Sequence, residues 1–359
     1  MVGVAGPRAI AIVARLFTPR GGEPLAGRPD GAIVFGRWAS AAAEAGEDVV
    51  VVRSGREAVE VHCHGGVAAC ESVIRGLEQL GAVRHAWPEW LRAGGAAETE
   101  VEAREALCRA GGPRAARILS RQLSGGLDAE LVRIEGLLAA GQAAAAQTAL
   151  DRLRRAARVG MRLTRPWRVV VAGHVNAGKS SLVNALAGHA RSIVSPEPGT
   201  TRDLLETRLV LDGWELDLVD TAGLRDDGGD ATDPVERAGI ARAVAARAGA
   251  DLVLHVVDGR RGDPPVPTAR ELLVASRADL VQRPTAAWPA GTLWTSAVAG
   301  TGIAALAAAI VRRLVPEQAD DPELLTGAVP FTERQAALVA RLAGHSSPAS
   351  LASEERPRT

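Results

Sequence analysis

The stretch Gly173-His-Val-Asn-Ala-Gly-Lys-Ser180 leaves this chain few folds to choose from. Its spacing, G-x-x-x-x-G-K-S, lets backbone N–H groups close on phosphate oxygens at the positive end of a helix dipole, and glycines permit the close approach. Such a loop needs a strand before it and a helix after it. Both are written here, as Trp167–Ala172 (WRVVVA) and residues 181–187 (SLVNALA). Lys179 is expected to reach the β and γ phosphates, and Ser180 to hold Mg²⁺. Lys179 is also the only lysine among 359 residues, and the only two asparagines, Asn176 and Asn184, flank it. Every other long cation is arginine, whose planar fork cannot replace a point charge inside a phosphate nest.

A phosphate loop serves adenine and guanine nucleotides alike, so the base-reading loop decides. Guanine presents N1–H and a 2-amino group together, which one carboxylate accepts as a pair. The usual guanine motif is N-K-x-D after a buried strand, and here that place reads Ser276-Arg-Ala-Asp279. Asp279 keeps the discriminating carboxylate, Ser276 is shorter than Asn, and the aliphatic stem of Arg277 can cover the base. Ser296-Ala297 stands where a backbone contact to guanine O6 is expected. Ser276 loses contacts that asparagine would make, so a weakened but real guanine preference is expected, and GTP is favoured over ATP. At the end of a second strand, Asp220-Thr221-Ala222-Gly223 is placed for the triphosphate. Asp220 orients Mg²⁺ through water, Gly223 senses the γ phosphate by its N–H, and Thr201 closes on Mg²⁺ in the GTP state. Thr221 and Ala222, with Ala177, Gly178 and Ser181 of the phosphate loop, complete the expected nucleotide contacts. Leu224 follows, where many GTPases place a glutamine, and leucine cannot orient a water.

The remaining chain reads as domains around this one. Residues 9–16 and 49–53 look β-like, and 57–61 alternate before His62-Cys-His-Gly-Gly66 opens a helix over 67–80. His62 and His64 share a strand face with Cys63 opposite and Cys70 one turn into the helix, a spacing that suits no common zinc pattern. Residues 96–164 are helical in pattern, and Arg154, Arg158 and Arg162 recur at i, i+4 with Arg155 and Arg165 nearby. That stripe reads as a solvated helix face, with contact to nucleic-acid phosphates or a partner as the alternative. Asp212-Gly213 marks a hairpin, and buried strands at 251–257, 272–275 and 292–295 precede a helix at 303–314. About a dozen residues after Asp258 leave room for only a very short crossover helix. Thr332 and Gln335 form a capping box for a last helix that packs back on 96–164.

The expected fold is thus α/β, a doubly wound P-loop GTPase domain (166–316) set within a helical domain (93–165 and 317–345). A small α+β domain (1–92) precedes it and a polar, disordered tail (346–359) follows. The formal net charge of zero gives no general signal for nucleic acid or membrane. No apolar window approaches a membrane span, the N-terminal apolar run is broken by Arg8 and Arg15, and three cysteines build no disulfide framework. A cytoplasmic protein is expected.

Several stretches resemble one family. EAVEVHCHGG (57–66), PRAIAIVARL, LGAVRHAWPEW, RILSRQLSGGLDAEL and the run from Asn176 to the loop ending G-T-T-R-D are similar to the bacterial tRNA-modification GTPases of the MnmE (TrmE) family. The resemblance implies a folate-binding N-terminal domain, with Glu60 as the acidic contact to a folate derivative. Ala14 stands where the family has an arginine, and a stretch after Trp90 with a further basic contact is missing. It also implies a potassium ion bound by Asn176, Ser195, Glu197 and Thr200 when two G domains meet. A homodimer through the G or N-terminal domains follows. The family's water-orienting glutamate lies in V-E-R-x-G-I, here Val235-Glu236-Arg-Ala-Gly-Ile240. Lys179, Thr201, Gly223 and Glu236 would form the catalytic set. Read from its residues alone, Asp233-Pro-Val-Glu236 is equally a capping box with proline at the first helical position. In the family, GTP hydrolysis drives modification of the tRNA wobble uridine with a flavin-dependent partner. Here the family's C-terminal Cys motif has no counterpart, which implies a shortened, divergent member. A GTP-dependent RNA or ribosome-assembly switch and a non-catalytic GTP-binding scaffold remain the alternatives.

Overall fold

The computed structural model describes residues 1–40, 43–190, 205–220, 241, 244–261, 264–281 and 288–345. The chain divides into two compact units, Met1–Gly94 and Gly95–Thr359.

In the first unit, valines alternate along the strands and give the sheet one apolar face. The elements are β1 (Val2–Ala5), α1 (Ala9–Leu16), β2 (Phe17–Pro19), β3 (Ile33–Ser40), β4 (Ala43–Arg53), β5 (Ala58–His62), α2 (Val67–Gln79) and α3 (Trp87–Ala93). The sheet order is β1-β5-β4-β3-β2 with every pair antiparallel. Val49, Val51, Val59 and Val61 are buried from the two central strands, and Val13, Val73 and Leu77 cover them from α1 and α2. Residues 9–16 correct the expectation of a strand. The run is apolar almost throughout, so period alone does not decide it. Its buried Ala9 and Val13, with half-buried Ile10, Ile12 and Leu16, share one face of a helix, and Ala11, Ala14 and Arg15 lie on the exposed side. Gly6, at φ +123°, turns the chain between β1 and that helix.

The second unit opens with α4 (Glu98–Leu107), α5 (Pro113–Leu123), α6 (Gly126–Ala139) and α7 (Ala143–Gly160). Gly125, at φ +84°, breaks α5 from α6. Then come β6 (Trp167–Ala172), α8 (Lys179–His189), β7 (Leu205–Leu211), β8 (Trp214–Asp220), β9 (Leu252–Asp258), β10 (Glu271–Ser276), β11 (Leu293–Trp294), α9 (Ile303–Leu314), α10 (Pro316–Asp320) and α11 (Glu333–His345). The six strands run β11-β10-β9-β6-β8-β7, all parallel neighbours except the β7–β8 hairpin.

Side chains alternate across this sheet, so it needs cover on both faces. Val169, Val171, Leu216 and Leu218 meet α8 and α9 on one face. Val170, Ala172, Val219 and Val253 meet Ala246 and Ala250 on the other. That is the doubly wound arrangement expected. The crossover from β9 to β10 differs: among described residues 259–261 and 264–270 no helical turn forms. Pro264, Pro265 and Pro267 explain this, since each removes a backbone N–H from any helix there.

The last helix returns to the first ones. Val339 and Ala343 of α11 join Leu127, Ile134, Leu150 and Leu153 in one apolar cluster. Its start is held by the capping pair: Gln335 N donates to Thr332 Oγ1, and Thr332 N to Gln335 Oε1, both at 3.3 Å. Glu102 of α4 accepts from Arg334 at 2.7 Å and from Gln335 Nε2 at 2.7 Å. The arginine stripe is a solvated face as expected, with Arg154, Arg155, Arg158 and Arg165 exposed, and several of its members also pair with acids of the same unit. Arg155 pairs with Asp321 at 3.7 Å, Arg158 with Glu317 at 3.5 Å, and Arg162 with Asp251. Among the described residues no helix is long and apolar enough to cross a membrane.

Candidate functional site

The phosphate loop sits where three parallel strands end side by side. Strand β6 leads into it, with β8 on one side and β9 on the other, and Val171 lies opposite Asp220 in the register. Gly173, at φ +143°, is required here: a Cβ would collide with the Val256 carbonyl of β9. Asn176 (φ +61°) and Gly178 (φ +91°) are left-handed, and together they fold the loop back before α8 begins at Lys179. Lys179 is only 5% exposed. Its ammonium donates to the carbonyls of Gly173 (2.6 Å) and His174 (2.9 Å), so the charge is held within the curve of the loop. Ser180 and Ser181 follow on the exposed side of the first turn.

Asp220, 5% exposed at the end of β8, brings a carboxylate to the same edge. A serine hydroxyl and a carboxylate are hard oxygen donors, which fits Mg²⁺ rather than a soft metal. Thr201, Thr221, Ala222, Gly223 and Glu236, and the loop positions Ser195, Glu197 and Thr200, lie outside the described residues.

The base-reading loop is bonded directly to the phosphate loop. Ser276, 5% exposed at the end of β10, donates from Oγ to the Ala177 carbonyl at 2.7 Å. A short hydroxyl thus spans a gap that the sequence suggested needed a longer asparagine. Arg277 adopts φ +57° and sends one guanidinium nitrogen to the Asn176 carbonyl and another to Asp258 Oδ2, both at 2.7 Å. Asp279 follows, exposed, within a 3₁₀ turn spanning Ala278–Leu280. Ser296 is 1% exposed and Ala297 half-buried beside it. The Thr295 carbonyl accepts from Ala278 N at 3.0 Å, which ties the strip holding Ser296 to the loop holding Asp279. Sequence reasoning missed Asp258. The Arg260 guanidinium, with Arg277 beside it, holds its carboxyl at about 2. The available signal was an acid ending the strand beside an S-R-x-D loop, where arginine replaces the usual lysine.

A cavity of about 650 Å³ lies elsewhere, lined by His189, Leu211, Gly213, Val311 and Gln318 among others, with no residue of the phosphate or base-reading loop. In the first unit, Glu60 pairs with His62 Nε2 at 3.2 Å and His64 Nδ1 with Glu47 at 2.8 Å. Cys63 and Cys70 sulfurs stand 3.5 Å apart, and burial followed by the Cys70 neighbour pushes the Cys63 thiol up. Ala14, the position of the family's arginine, lies on the exposed side of α1.

A glycine loop at the end of a parallel strand, a buried lysine opening the next helix and a carboxylate-bearing loop bonded to the glycine loop define a P-loop GTPase domain. The family described as 50S ribosome-binding GTPase matches residues 168–284, the span that holds these parts. Curated relatives extend the match beyond it. A tRNA modification GTPase MnmE from Methylorubrum populi is 35% identical over 326 residues, covering 81% of this chain and 71% of that protein. One from Synechococcus sp. CC9605 is 35% identical over 299 residues, covering 72% of this chain and 65% of that protein. One from Thermus thermophilus is 44% identical over 171 residues, covering 47% and 36%. This chain belongs to the MnmE family. It spans a little under two thirds of the length of the Synechococcus relative.

Proposed function

We propose that this chain is a cation-activated GTPase that hydrolyses GTP to GDP and phosphate. The hydrolysis is coupled to tRNA wobble-uridine modification or to a paralogous system. One observation carries the reading: Ser276 and Arg277 of the base loop bond to successive carbonyls of the phosphate loop, Ala177 and Asn176. Base recognition by Asp279 and triphosphate binding by Lys179 therefore belong to one bonded assembly.

In this reading Lys179 lies along the β and γ phosphates and stabilises the charge that develops as the γ-phosphoryl group leaves. Ser180, Asp220 and Thr201 would hold Mg²⁺, and Asn176, Ser195, Glu197 and Thr200 would hold K⁺. These cations supply positive charge against the phosphate oxygens. Gly223 donates its N–H to the γ phosphate. Glu236 accepts a hydrogen bond from the attacking water, the role that Leu224 cannot fill. A K⁺ ion held there when two G domains pair would supply the positive charge that a second protein's arginine supplies in other GTPases. A folate derivative against Glu60, a tRNA and a flavin-dependent partner belong to the same reading through the family. The alternative of a non-catalytic GTP-binding scaffold is motivated by the Ser276-Arg-Ala-Asp279 deviation, and turnover discriminates it.

The test is turnover of GTP against ATP by the purified chain, together with Glu236→Ala. GTP should be hydrolysed preferentially, and Glu236→Ala should lower kcat on the order of 10²-fold with GTP affinity nearly intact. Equal loss of binding would make Glu236 a helix cap. For the second half, expression in a bacterial strain without its own MnmE should restore wobble-uridine modification; its failure with an active GTPase would assign the chain to a paralogous pathway.

A further inference from the structure

The base loop departs from the usual asparagine and lysine at two positions at once, and the structure pairs the second departure with a residue on another strand. Arg277 is a non-glycine residue at φ +57°, a conformation a side chain seldom adopts without outside support. Asp258 supplies that support. It ends β9 directly opposite Ser276 in the register, so it is fixed to the sheet rather than to a loop. Its side chain is 13% exposed. Its Oδ1 accepts from the Arg260 main-chain N at 3.1 Å and Nε at 3.0 Å. Its Oδ2 accepts from Arg260 at 2.6 Å and Arg277 at 2.7 Å. The carboxylate is thus immobilised from four donors. The second arm of the Arg277 fork reaches the Asn176 carbonyl. An arginine can hold two acceptors at a fixed angle, whereas a lysine ammonium has no such rigid fork.

We propose that Asp258 is a positioning residue for guanine recognition. By gripping the Arg277 fork it sets the base loop against the Asn176 carbonyl and keeps Asp279 in register with the phosphate loop. The proposal rests on the reading that a guanine nucleotide occupies this site. The Asp258 oxygens are taken up by Arg260 and Arg277, and in this proposal its effect on the base loop passes through Arg277.

Fluorescent GDP and ADP are titrated into the full chain and into Asp258→Asn, Arg277→Ala and the double variant, with Mg²⁺ and KCl present, and each protein is also melted thermally. Asp258→Asn is expected to weaken GDP about tenfold while ADP affinity stays within about twofold. The double variant should bind GDP no worse than Arg277→Ala, because both changes cut one connection. A GDP preference preserved in Asp258→Asn overturns the proposal, as do additive losses. Parallel weakening of both nucleotides with a lowered melting temperature overturns it in favour of a purely structural role. Should Asp258→Asn fail to fold, Arg277→Ala by itself must show the same narrowed preference. A wild-type chain that does not distinguish GDP from ADP refutes the guanine reading itself, an outcome separate from the others.

Discussion

The two ends of the hairpin strand β8 are built on opposite principles. Along the sheet edge at its carboxyl end polar side chains are buried: Lys179, Asp220, Ser276 and Ser296 are each at most 5% exposed. The first and third of these bond to main-chain carbonyls of the phosphate loop. At its other end, the Asp212-Gly213 turn approaches the helical part through bare backbone. Arg114 N donates to the Gly213 carbonyl at 3.2 Å, and a Cβ on Gly112 would stand 2.5 Å from that same oxygen. Around this contact Arg114 (2.8 Å) and Gln318 (3.0 Å) both donate to Asp212 Oδ2, and Trp214 Nε1 donates to Gln318 Oε1 at 2.6 Å. Burial alone would raise the Asp212 carboxyl, but the Arg114 and Gln318 hydrogen bonds outweigh it and hold it below its usual range. Buried polar side chains at one end are placed for a ligand. Glycines at the other are placed for contact between parts of one unit.

Changes at the first end should therefore read out in nucleotide handling, and changes at the second in stability. Lys179→Ala should show the largest effect, a loss of turnover on the order of 10²- to 10³-fold with weakened GTP binding. Unchanged hydrolysis would remove the phosphate-loop assignment. Next in size, Gly112→Ala should destabilise the second unit by about 1–3 kcal/mol in urea unfolding, because the new methyl meets a carbonyl rather than a flexible side chain. GDP affinity of the folded fraction should not move, and a matching loss of affinity would dissolve the contrast between the ends.

The smallest effect separates the two by pH. The Arg260 guanidinium, with Arg277 beside it, holds the Asp258 carboxyl at about 2, below the usual carboxylate range. A depressed folded value adds stability that is complete above the unfolded value and lost as pH falls through the folded one. The stability gap between wild type and Asp258→Asn should be flat above about pH 5 and close between about pH 4 and 2. A gap that instead changes near neutrality would assign the ion pair's contribution to another group.

The site was legible where the signal is local. The glycine spacing before Lys179, the Asp212-Gly213 turn and the helix ending at Leu314 each follow from neighbouring residues, and each is found. What escaped is set by distant partners. Asp258 grips Arg277 from the adjacent strand, Arg158 of α7 meets an acid on α10, and Arg162, just beyond α7, meets one before β9. No window along the chain contains both members of these pairs. Residues 9–16 escaped for a different reason, since a nearly unbroken apolar run satisfies helical and strand periods together.

Cation activation is the most exposed element of the account. GTP hydrolysis by the purified chain should be measured in KCl against NaCl over a range of protein concentrations. The account predicts faster turnover in K⁺, rising with protein concentration as G domains pair. Slow turnover that is indifferent to both cation and concentration would contradict it and leave a GTP-binding protein with another means of positioning water.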